Sequence, residues 1–77
     1  MRVQLTPRAQ FEFDRFDPAE QQTILRAVRL EAMAARASRP RRVGHATIRL
    51  AEPATELRVQ VSVRGALLVS IHRLSTG

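Results

Sequence analysis

The chain is predicted to fold as an α+β domain: an N-terminal short strand, a two-helix hairpin, then three antiparallel strands forming one sheet with the helices on one face. Three observations predict this. Apolar residues recur at helical spacing between Ala9 and Ala35, two-residue alternation takes over from Ala46, and a break at Ser38-Arg39-Pro40-Arg41-Arg42 separates the two regimes. Residues 1–77 read as a single domain with no internal repeat.

Val3 and Leu5 alternate with Arg2 and Gln4, which describes a short strand ended by Thr6-Pro7. Thr6 suits a helix cap and Pro7 the first helical position, where a missing N–H costs nothing. Ala9, Phe13 and Phe16 then share one helical face, with Arg8, Glu12 and Arg15 opposite, so the first helix is predicted to run to about Phe16. Phe11 lies off that face and suits a partner surface. Asp17-Pro18-Ala19-Glu20 restarts the chain: Asp17 as cap, Pro18 at the first position and Glu20 closing a capping box. The second helix is predicted to continue to about Ala37, with Ile24, Leu25, Val28, Ala32 and Ala35 on its apolar face.

After the basic linker, Ala46, Ile48 and Leu50 alternate with Thr47 and Arg49, and Glu52-Pro53-Ala54-Thr55 reads as a turn. Leu57, Val59, Val61 and Val63 alternate with Arg58, Gln60 and Ser62, and Leu67, Val69 and Ile71 resume the apolar set, so one sheet face is buried and the other wet. A three-residue loop, Val63-Arg64-Gly65, with Gly65 at the left-handed position of a bulge, pairs Leu57 with Ile71, Val59 with Val69 and Val61 with Leu67. The same register sets Arg58 opposite Ser70 and Glu56 opposite His72. It therefore predicts a cluster of Arg58, Glu56 and His72 on the wet face.

All 13 basic residues are arginine, against seven acids, for a formal net charge of +6. A GC-rich coding sequence also favours arginine, so the sign of the charge carries more weight than the residue type. An excess of positive charge points to an anionic partner, nucleic acid or an acidic protein segment. Cysteine is absent, which excludes disulfides, thiol catalysis and cysteine metal sites. Two histidines, His45 and His72, with no acid at ligand spacing make a poor metal set, so neither metal nor cofactor is expected. No apolar run is long enough to span a bilayer and Met1-Arg2-Val3-Gln4 does not open a signal peptide, so the expectation is a cytoplasmic protein without a membrane partner.

The order strand, helix, helix, basic linker and three strands resembles the RelE/ParE superfamily of toxins from type II toxin–antitoxin systems. Val3-Gln4-Leu5-Thr6-Pro7-Arg8-Ala9 resembles the family's opening, and Asp17-Pro18 followed by Ile24-Leu25 its second helix. Arg42-Val43-Gly44 resembles the approach to the second strand, Ile48-Arg49-Leu50 the Trp-Arg-Leu-Arg stretch, Leu57-Arg58-Val59 the Tyr-Arg-Val stretch, and Ile71-His72-Arg73 the closing Gly-His-Arg. The resemblance covers nearly the whole chain, and it rests on order and spacing, since each motif alone is short. The chain departs from the family in having no Trp, Tyr or Lys, and in a longer loop over residues 51–55.

The resemblance implies a toxin held by a cognate antitoxin with an acidic or partly disordered segment. Its first implied activity is a ribosome-dependent messenger RNA endoribonuclease, an mRNA interferase that inhibits translation. Attack of the 2′-hydroxyl on the adjacent phosphate then needs a base, a cation and an acid. Arg58 and Arg49 suit the phosphate, as does Arg73. His72 suits acid or base work, with Glu56 as its orienter or as the alternative base. Arg39, Arg41 and Arg42 read either as a solvated loop or as a rim gripping RNA phosphates or the antitoxin. The second implied activity is that of a ParE-like inhibitor of DNA gyrase, without catalysis. A third reading is a degenerate basic domain that only binds nucleic acid or protein. The missing Tyr and Lys favour the second, and His72 beside Arg58 favours the first.

Overall fold

The computed structural model describes residues 2–38 and 44–74. The chain forms β1 (Arg2–Leu5), α1 (Pro7–Phe13), α2 (Pro18–Ser38), β2 (Gly44–Leu50), β3 (Thr55–Ser62) and β4 (Gly65–Arg73). The α+β architecture is the one predicted. Arg39, Arg41 and Arg42 lie outside the described residues.

Thr6 caps α1, its hydroxyl accepting the Ala9 N–H at 3.2 Å, and Pro7 opens the helix. The helix ends at Phe13, short of the predicted Phe16. The N–H groups of Arg15 and Phe16 reach back only three residues, to the carbonyls of Glu12 and Phe13 at 3.1 Å each, so the last turn tightens before Asp17-Pro18. Phe16 is still buried, because the tight turn directs it under the helices. The capping box of α2 forms as expected: the Glu20 N–H donates to Asp17 Oδ1 at 2.9 Å, and the Asp17 N–H to Glu20 Oε1 at 3.2 Å.

The strands lie in the order β1-β4-β3-β2. β2, β3 and β4 are antiparallel as expected, and β1 completes the same sheet as a fourth strand parallel to β4, which makes the sheet mixed. The predicted pairs Glu56 with His72, Leu57 with Ile71 and Arg58 with Ser70 are present. Beyond Arg58 the register differs: Val59 pairs with Leu68 and Val61 with Ala66, not with Val69 and Leu67. Val69 is the extra residue of a bulge, and the turn has two central residues, Val63 and Arg64, between paired Ser62 and Gly65.

The bulge has a steric cause. Leu68 and Ile71 are both buried, yet they stand three residues apart, and a strand of period two sends such residues to opposite faces. One extra residue restores both to the helix side. Thr6 satisfies the displaced backbone: its N–H donates to the Leu68 carbonyl at 3.0 Å, and its hydroxyl donates to the Val69 carbonyl at 2.6 Å while accepting from Ala9. A single hydroxyl thus joins the bulge to the start of α1. Thr6→Val keeps the shape and removes both bonds, so chemical denaturation should show a loss of about 1–3 kcal/mol. An unchanged midpoint would mean that the bulge is held by other contacts.

The core lies between the helices and one sheet face. Ala9, Phe16, Ile24, Val28 and Ala32 meet Leu57, Val59, Val61, Ala66, Leu68 and Ile71, with Val3 and Leu5 packed against them. Ala32 on α2 lets the helix approach the sheet closely. On the outer side, Phe11, Leu30 and Met33 are exposed, Phe11 as the sequence suggests.

Candidate nucleic-acid interface

Because Leu57, Val59 and Val61 point at the helices, alternation directs Glu56, Arg58, Gln60 and Ser62 to the other face. The registers place their neighbours in rows. Arg49, Glu56 and His72 form one row; Thr47, Arg58 and Ser70 the next; His45, Gln60, Leu67 and Gln4 a third; Ser62, Gly65 and Arg2 the last. No described helix covers this open face.

Arg58 is exposed near its middle, with His72 diagonal to it on the neighbouring strand and also exposed. These two predicted site residues share a surface. Glu56 is engaged elsewhere: its carboxylate accepts from the Arg49 guanidinium at 3.2 Å, and among the described residues no hydrogen bond joins it to His72. An exposed pair of this kind contributes about 0–1 kcal/mol, so its main effect is to offset the charge of Arg49. Glu56 is the one carboxylate that the described strands carry on this face. Arg58, Arg2 and Arg64 have no carboxylate partner among the described residues.

Arg73 stands apart from this group. It follows His72 directly, so its side chain leaves from the opposite face, where its guanidinium lies 4.0 Å from the centroid of the Phe16 ring. It shields a buried aromatic and does not extend the surface around Arg58. Arg73→Ala should lower stability by about 0.5–1 kcal/mol in thermal melts. An unchanged melting temperature would mean that the contact with the Phe16 ring contributes nothing to the fold.

A groove at the hairpin end of the open face is not legible in any local sequence pattern. Arg2, Gln4, Gln60, Ser62, Arg64 and Leu67 line a depression of about 410 Å³. Alternation alone gives the orientations of Gln4, Gln60 and Ser62. Bringing Arg2 and Gln4 to them requires knowing that β1 pairs with β4, which no local pattern states.

Among the described residues, no three His, Asp or Glu side chains are grouped as a metal ion would require, and no helix is long and apolar enough to cross a membrane. Compared with protein-family models, curated proteins and solved structures, the chain matches none.

Proposed function

We propose that this protein is a RelE/ParE-like toxin that acts in the cytoplasm on ribosome-bound messenger RNA through the open face of its sheet. The observation that carries this reading is the placement of Arg58 and His72 together on a bare, cation-rich strand surface that holds a single carboxylate, itself paired. Arg58 stabilises the phosphorane charge as the 2′-hydroxyl attacks, and His72 moves the proton. Arg49 contributes to phosphate binding when RNA displaces it from Glu56. The exposed Phe11, Leu30 and Met33 offer apolar surface for the antitoxin.

One feature favours the second reading, a gyrase inhibitor without catalysis: Glu56 is taken up by Arg49, so His72 lacks the carboxylate that would orient it. Pulse-labelling of new RNA, DNA and protein after induction separates the two. Protein synthesis should stop first, with cut transcripts. Arrest of DNA synthesis first would identify gyrase as the target, and uninterrupted synthesis with abundant soluble protein would remove the toxin reading.

A further inference from the structure

The groove between Arg2 and Arg64 lies at the row that holds Gly65. Gly65, itself buried, pairs with Ser62 on β3 and Arg2 on β1, and the Arg2 carbonyl closes in on it where a side chain would stand. Arg2 borders the groove from the edge strand. Arg64 borders it from the turn, where its N–H donates to Ser62 Oγ at 3.4 Å. One row further in, half-buried Leu67 lies between two carboxamides, Gln4 and Gln60. None of the lining residues is acidic.

We propose that this groove is a nucleotide subsite for single-stranded RNA, with a phosphate held between Arg2 and Arg64 and a base lying over Leu67 between Gln4 and Gln60. Two arginines bordering one groove supply the charge and forked donors that phosphate oxygens demand. An apolar floor with a carboxamide at either side matches a flat ring with donors and acceptors on its edges, since each amide presents both. Ser62 adds a hydroxyl for sugar or phosphate oxygen. The subsite is distinct from the surface around Arg58: Arg58 stands four residues from Ser62 along β3, roughly 13 Å at strand rise. RNA crossing the face therefore meets the groove and Arg58 as successive stations. This inference rests on RNA being the ligand of the open face, but it makes no use of cleavage.

The test is fluorescence anisotropy with short labelled oligouridylate and oligoadenylate, for the parent and four variants whose folding is checked by thermal melting. Arg2→Ala with Arg64→Ala should weaken binding on the order of tenfold and lower the slope of log affinity against log salt by about 0.7, for one lost phosphate contact on a single strand. Arg26→Ala with Arg29→Ala removes the same charge from α2 and should change the affinity less than threefold. Gln4→Ala with Gln60→Ala should keep the slope and reduce the difference between the two oligonucleotides. Arg58→Ala separates the two levels of the account. If it weakens binding while the Arg2 and Arg64 pair does not, the groove is overturned and the open-face reading stands. If the groove pair weakens binding in a protein whose expression is harmless, the groove stands and the toxin reading falls. Equal losses from the groove pair and the α2 pair would reduce the effect to net charge and overturn the subsite, as would absence of RNA binding by the parent protein.

Discussion

Gly65→Ala is expected to destabilise the fold by about 3 kcal/mol, lowering the melting temperature by about 12–24 °C for a domain of this size. Gly65 has φ of +154°, in a region that residues with a Cβ rarely adopt. A Cβ built there would also run into the backbone carbonyl of Arg2, the residue paired with it across β1 and β4. Neither problem can be relieved by rotating a side chain, because both involve backbone. Relief requires β1 to move away, which exposes Val3 and Leu5 and opens that edge of the core. Gly44→Ala is the matched control: a Cβ there meets nothing within 4 Å, so stability should stay within about 0.5 kcal/mol. Similar melting of both variants would mean that the tight approach of β1 to β4 is not a feature of the folded protein.

The second large effect concerns the open face. If RNA is cut there, Arg58→Ala should slow cleavage by about 10²–10³-fold, the usual loss when a preorganised charge on the reacting phosphate is removed, and should also weaken binding. His72→Ala should slow cleavage by about 10²–10⁴-fold with affinity nearly unchanged, because a proton-transfer group acts in the transition state more than in the bound complex. Cleavage and binding are therefore measured separately. A His72→Ala protein that arrests growth as well as the parent, beside an Arg58→Ala protein that does not, would describe a binding surface without chemistry. Both side chains are exposed, so neither substitution should disturb the core.

Local chemistry made much of the fold legible. Asp17, Pro18 and Glu20 specify a helix start through atoms that lie within four residues of one another, and the box forms with both bonds. The alternation over Leu57, Arg58, Val59, Gln60 and Val61 fixes which side of β3 is wet, and with it the positions of Arg58 and Glu56. The far half of the hairpin was illegible because Ala66-Leu67-Leu68-Val69 is apolar at both parities. Periodicity in such a run permits two registers. The choice falls to Leu68, Ile71 and the Thr6 hydroxyl, which stands 63 residues away from the carbonyl it binds. Arg73 and His72 leave from opposite faces because a strand sends neighbours to opposite sides, which a motif of adjacent residues does not state. The groove is illegible in the sequence because its parts come from three strands and a turn, and β1 reaches them through a long-range parallel pairing.

On the proposed function, the open sheet face is the acting surface. Growth after induction, at matched soluble abundance, tests it most directly when Arg58→Ala is compared with Arg26→Ala plus Arg29→Ala on the outer side of α2. The expected result is that Arg58→Ala grows as an uninduced culture does while the α2 variant is arrested like the parent. Persistent arrest by Arg58→Ala, or relief by the α2 variant alone, would contradict it and move the acting surface to the helices.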